Sequence, residues 1–189
     1  EVAAFPLENA ATLDDIERRL DPADVLIVDD RATAAIGGVM GAASTEVRAD
    51  STEVLLEAAV WDPAAVSRTQ RRLHLPSEAA RRYERGVDPA FTPVGAEIAT
   101  RMILDHCGGE ASHVVTAGAV PDTSRSYALR KTRVASLAGA DIPVARQKEI
   151  LEALGYGVTE TADALTCSVP SWRPDIHGEA DLVEEVCRI

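Results

Sequence analysis

QRRLHLPSEAARRYERGVDP, residues 70–89, places an arginine cluster, a cap signal and two helix boundaries within twenty residues. Six arginines (Arg68, Arg71, Arg72, Arg81, Arg82 and Arg85) fall within eighteen residues of a chain whose formal net charge is −12. Local basicity on an acidic chain suggests a face built for an anion, and phosphate is the anion that arginine clusters most often grip. The alternative is a solvated helix in which Glu78 pairs with Arg82 at i,i+4 and Glu84 with Arg81 at i+3. Ser77 is a helix N-cap candidate, and Gly86 marks that helix's end. Upstream, Asp62-Pro63 pairs a cap with proline at the first helical position, which predicts a helix to about Leu73. Downstream, Asp88-Pro89 opens a third helix with Val94, Ile98, Met102 and Ile103 at helical spacing, closed by Gly108-Gly109.

Residues 1–7 carry no cap or turn signal. Residues 12–20 read as a short helix or turn, with Asp14, Asp15 and Glu17 where acidic groups favour a helix start, and Asp21-Pro22 breaks it. Residues 25–28 predict a buried strand and residues 34–40 the next one. There Gly37, Gly38 and Gly41 would let another group approach the backbone, as a pocket floor or as a bulge or turn. Residues 53–60, EVLLEAAV, are apolar enough for an interior strand, with Glu57 at the centre. Pointing inward, Glu57 would need a hydrogen-bond donor to offset its burial; on an edge it would face water.

After an apolar run over 111–120, residues 121–125 are linker-like and place a boundary between domains 1–122 and 123–189. The second domain reads as strand (127–130), helix (131–137), helix (144–154), strand (157–160) and strand (165–169), with Gly155 ending the second helix and a hairpin turn at 161–163. Two helices followed by a hairpin resemble the winged helix-turn-helix arrangement. Glu149 and Glu152 against Arg146 and Lys148 leave the second helix too balanced to lie among phosphates. The fold class expected is α+β.

With 46% hydrophobic and 4% aromatic residues, the core must be built from Ala, Val, Leu and Ile. No apolar run approaches the ~20 residues of a membrane span and no secretion signal opens the chain, so it reads as soluble and cytoplasmic. Cys107, Cys167 and Cys187 are far apart with no C-x-x-C pair; neither a disulfide framework nor a zinc site is indicated, and all three read as buried small residues. His106 and His113 have no companion at metal-ligand spacing. The acidic balance argues against wrapping nucleic acid over the whole surface, though a local basic patch remains compatible with RNA. A G-x-x-x-x-G-K-[ST] loop and any Ser/His/Asp or Cys/His arrangement are absent.

Three blocks in order carry a resemblance. Ser77-Glu-Ala79 with Arg82-Tyr-Glu-Arg-Gly-Val-Asp-Pro89, Gly37-Gly-Val-Met-Gly41, and Pro170-Ser-Trp-Arg-Pro-Asp175 running into Asp181-Leu-Val-Glu-Glu-Val-Cys-Arg-Ile189 together resemble bacterial phenylalanine–tRNA ligase β subunits. The resemblance implies the C-terminal part of a mixed α/β editing domain followed by a small winged-helix-like domain. In that family the editing domain hydrolyses tyrosine wrongly attached to tRNA(Phe). The physical need is that an apolar pocket rejects an added hydroxyl by only ~10²-fold, whereas a site that hydrogen-bonds the hydroxyl reaches ~10⁴ to 10⁵.

Matched residue by residue, the resemblance puts Glu57 on the glutamate that reads the tyrosine hydroxyl and Ser77 on a threonine position. Ala79 falls on the small residue leaving room for the ring, and Gly38 and Gly41 on glycines that let substrate lie against backbone. A histidine that the family contributes would precede Glu1. Arg71, Arg72, Arg81 and Arg82 become tRNA-contact candidates, and the α subunit, tRNA(Phe) and misacylated Tyr-tRNA the implied partners.

Asp181, Glu184 and Glu185 are spaced i, i+3, i+4 and share a helix face that Asp175 reaches from the loop. Four such carboxylates suit Mg²⁺, and an acidic first helical turn is the alternative. The resemblance favours Mg²⁺, at a site shared with the α subunit. Besides the editing reading, a non-catalytic module holding α subunit and tRNA is open. A free-standing deacylase is disfavoured by the acidic block, which such an enzyme does not need.

Overall fold

The computed structural model describes residues 9–189, so the featureless residues 1–7 lie outside the described part. It separates into two compact units: one runs through Val87 and resumes at Thr92–Ala111, and the other combines Asp88–Phe91 with Ser112–Ile189.

The first unit opens with an antiparallel hairpin, β1 (Asn9–Ala11) and β2 (Glu17–Arg19), where a helix or turn was expected over 12–20. The acids that suggested a helix start build the turn instead. Asp14 accepts hydrogen bonds from the Thr12 hydroxyl at 2.6 Å and from both terminal nitrogens of Arg18 at 2.6 and 2.7 Å. Asp15 takes the left-handed conformation, φ 59°, that aspartate tolerates better than most residues. The hydrogen bonds from Arg18, and next from Thr12, hold the Asp14 carboxyl well below the usual carboxylate range.

A second sheet follows in the order β3 (Leu26–Val28), β4 (Thr33–Ile36), β5 (Met40–Gly41), all antiparallel. The Asp29 carboxylate makes the first turn by accepting from the backbone N–H groups of Arg31 and Ala32, both at 2.8 Å. β3 is only partly covered, with Val25 and Val28 exposed, so the expected buried strand is an edge of a three-stranded sheet. The expected single strand over 34–40 is instead two strands reversed at Gly37-Gly38-Val39.

Three helices complete this unit: α1 (Pro63–Arg72), α2 (Glu78–Tyr83) and α3 (Thr92–Cys107). Asp62 caps α1 by accepting from the Ala64 N–H at 2.9 Å, and Ser77 caps α2 by accepting from the Ala80 N–H at 3.0 Å. Val66 and Ala80 pack with Leu20, Ile36, Val39 and Leu75 as the core. Thr69 donates to Asp24 at 2.9 Å, and Arg72 bonds both Asp24 and the Arg19 carbonyl, so α1 is fastened to the chain leaving β2.

Residues 53–60 are not the expected interior strand. They have no strand partner among the described residues, and Leu55 is 98% exposed. The reason is physical: a strand exists through a neighbour's hydrogen bonds, and none reaches this stretch. α3 has its expected span but buries no residue, leaving Val94, Ile98 and Met102 exposed.

The second unit follows its expected order: β6 (Ser126–Arg130), α4 (Arg133–Ala138), α5 (Val144–Ala153), β7 (Gly157–Glu160), β8 (Ala164–Ser168) and α6 (Glu179–Cys187). The sheet is antiparallel in the order β6-β8-β7, with Leu129 opposite Leu165 and Val158 opposite Cys167. Gly155 ends α5 at φ 91°, and a Cβ there would stand 2.8 Å from the Trp172 ring, so only glycine fits both the turn and the contact. Leu129, Val134, Leu151, Leu165, Cys167 and Leu182 form a fully buried core. Of the three cysteines only Cys167 is buried, and burial pushes its thiol up to about 11; Cys107 and Cys187 are exposed, contrary to expectation. No described helix is long and apolar enough to cross a membrane.

Candidate functional site

In the first unit Gly38 and Gly41 belong to the β4–β5 hairpin and Ser77 bonds to it, while Glu57 lies on the separate 53–60 segment. Gly38 adopts φ +69°, and a Cβ at Gly37 or Gly38 would approach the Trp61 ring within 2.9 or 2.8 Å. The glycines therefore admit an indole from the same chain, and Val66 stands equally close to Gly38. Ser77 donates its hydroxyl to the Val39 carbonyl at 2.5 Å while capping α2, which ties the start of α2 to the glycine turn. The Ser77 hydroxyl thus has both its proton and an acceptor lone pair engaged in structural hydrogen bonds. Ala79 is exposed beside this cap, whereas Ala80 turns into the core. Gly41 lies against Leu13, 3.3 Å from its Cδ1 if a Cβ were present.

Glu57 is exposed on its unpaired segment, and partial crowding by neighbours still pushes its carboxyl above the ordinary value. Tyr83, at the end of α2, has its phenol raised first by desolvation and then by the charge of Glu57. Trp61 and Tyr83 both pack against the first core. Spacing arguments omitted both residues, although Tyr83 lies inside the motif Arg82-Tyr-Glu-Arg-Gly; an aromatic surrounded by arginines and close to a cap was the available signal.

The arginines divide. Arg81 and Arg82 pair with Glu78 at 3.6 and 3.1 Å on the solvated face of α2. Glu84, expected to pair with Arg81, instead accepts from Gln70 at 2.5 Å and Ser67 at 3.3 Å and links α1 to α2. Arg72 is committed to Asp24, while Arg68 and Arg71 have no carboxylate partner among the described residues.

In the second unit the four expected metal ligands do not converge. Arg173 stands between two of them: its Nε and Nη2 donate to Asp175 at 2.9 and 2.6 Å, and its Nη1 and Nη2 to Glu185 at 2.5 and 3.0 Å. Arg188 adds a bond to Glu185 at 2.7 Å. Asp181 caps α6, accepting from the backbone N–H groups of His177 at 2.8 Å and Gly178 at 3.0 Å. Glu184 is exposed, and no group of three or more His, Cys, Asp or Glu among the described residues could hold one ion. The donor set therefore does not fit Mg²⁺: two carboxylates already have guanidinium counter-charges and a third is spent on a helix end.

Glu179, at the start of α6, accepts from the Arg130 backbone N–H and Nε at 2.9 Å each and from its Nη2 at 2.6 Å, with Arg133 at 3.3 Å. The Arg130 guanidinium brings its carboxyl down from 4.5 to about 2. A depressed carboxylate contributes stability that is complete above its unfolded pKa and lost as pH falls through the folded value. The second unit's thermal midpoint is thus expected to fall between about pH 4.5 and 2, and Glu179→Gln to flatten that dependence. A midpoint with the same acid slope in both proteins would show that this ion pair contributes nothing.

Residues 3–108 match the family model described as the B3/4 domain, and residues 127–189 match the tRNA synthetase B5 domain. The chain belongs to the B3/4 domain family and carries a B5 domain after it. Its relatives are β subunits: the phenylalanine–tRNA ligase β subunit of Mycolicibacterium paratuberculosis is 56% identical over 98% of this chain and 23% of the relative. That of Mycobacterium leprae is 51% identical over 98% and 23%, and that of Cereibacter sphaeroides 50% over 96% and 22%. The chain spans under a quarter of the length of these relatives. The resemblance read from the three motif blocks and the α+β class are borne out.

Proposed function

We propose that the chain is a region of a phenylalanine–tRNA ligase β subunit, in which the first unit hydrolyses tyrosine mischarged on tRNA(Phe) while the assembled α/β enzyme attaches phenylalanine with ATP. The observation that carries this reading is the Ser77 to Val39 hydrogen bond, which ties the glycine turn to the start of α2, two residues before the exposed Ala79. Identity of 51% and 56% to named β subunits over 98% of this chain supports it. Glu57 accepts the phenol hydroxyl of tyrosine, a hydrogen bond that phenylalanine cannot make. Ser77 holds the turn against α2, and Ala79 leaves room for the ring. With no side-chain nucleophile at hand, a positioned water attacks the ester, assisted by backbone and tRNA groups. Arg71, with Arg81 and Arg82 on the solvated face of α2, offers phosphate contacts, whereas Arg72 is held by Asp24, and the setting is cytoplasmic.

A second reading, a non-catalytic module that holds the α subunit and tRNA, is favoured by the exposed apolar face of α3 and by Leu55. Ala79→Trp in the assembled enzyme separates the two. Because Ala79 is exposed while Ala80 fills the core, the indole is expected to block Tyr-tRNA(Phe) hydrolysis at least tenfold with the melting temperature nearly unchanged. Unchanged hydrolysis would remove Ala79 from the site and favour the module.

A further inference from the structure

The carboxylate block of the second unit has an internal cation. The loop over 170–178 is pinned by Arg125, whose guanidinium donates to the carbonyls of Arg173 at 2.7 Å and of Pro174 and Ile176 at 3.2 Å each. This delivers Arg173 to the flank of α6, where its guanidinium uses one edge for Asp175 and the other for Glu185. Glu185 is buried, its side chain 5% exposed, and Arg188 bonds the same oxygen that Arg173 Nη1 does. Two carboxylates thus face two guanidiniums and the cluster is neutral. Paired forks of this kind are the strongest hydrogen bonds a carboxylate makes, and lysine cannot reproduce them.

We propose that Arg173 is the resident counter-cation of this block, and that a divalent ion reaches Asp175 and Glu185 only by displacing its guanidinium. The geometry requires this, because an ion bridging the two carboxylates would lie where the guanidinium now lies, beside a like charge in a poorly solvated place. The inference is independent of the editing reading, which concerns the other unit. It also separates the acids by role: Asp175 and Glu185 fasten the loop to α6 through Arg173, Asp181 caps the helix, and Glu184 faces solvent.

The test is thermal unfolding of the full chain with added Mg²⁺, against NaCl at matched ionic strength to remove general screening, for wild type and Arg173→Gln. The wild type is expected to show no Mg²⁺-specific rise in melting temperature, and the variant to bind Mg²⁺ at least tenfold more tightly by calorimetric titration. Should Arg173→Gln not fold, Arg173→Met carries the same comparison, since it too removes the positive charge from between the carboxylates. A Mg²⁺-specific rise in the wild type that Glu185→Gln abolishes would overturn the proposal, as would the lack of any gain in the variant that folds.

Discussion

Gly38→Ala is expected to destabilise the first unit by roughly 2 to 5 kcal/mol, the sum of left-handed strain and overpacking. The backbone stands at φ +69°, and the new methyl would lie 2.8 Å from both Trp61 Cδ1 and Val66 Cγ2. Neither neighbour retreats freely, because Val66 belongs to the packed core and Trp61 packs against it. Gly41→Ala is the control: its methyl would meet only the end of Leu13, 3.3 Å away, and its cost is expected to stay below about 1 kcal/mol. Urea unfolding of the two variants measures the difference. Equal midpoints would mean that the Trp61 contact is not held in solution.

Leu182→Ala is expected to cost about 2 to 5 kcal/mol, as for other fully buried leucines. Leu182 lies on the inner face of α6 with Val183 and Val186. Glu184→Ala, on the exposed face of the same helix, is expected to change stability by less than about 0.5 kcal/mol. The pair of measurements asks whether α6 is held by its apolar face or by its acids; a larger loss at Glu184 would give the acids the structural role.

What was legible in the sequence was encoded within a few residues. Asp62-Pro63, Ser77, Gly86 and Gly155 mark helix ends by local chemistry, and each end formed where it was read. The β1–β2 hairpin was hidden because Asp14, Asp15 and Glu17 read as the acidic start of a helix, while Asp14 in fact closes the turn by pairing with Arg18. Residues 53–60 carry strand composition, but the partner that makes a strand is not encoded in them. The glycines signalled a close approach correctly, yet the approaching group is Trp61, more than twenty residues away in sequence. Counting carboxylates at i, i+3 and i+4 likewise placed three acids on one face, while Arg173, which decides their chemistry, lies on a separate loop.

The claim most worth measuring is that Glu57 reads the tyrosine hydroxyl. In the assembled enzyme, Glu57→Ala is expected to raise Tyr-tRNA(Phe) accumulation by two orders of magnitude or more, since a site that hydrogen-bonds the hydroxyl discriminates by ~10⁴ to 10⁵ and an apolar pocket by only ~10², while phenylalanine charging stays near wild type. Loss of both activities in equal measure, or hydrolysis of Tyr-tRNA(Phe) at the wild-type rate, would contradict the account.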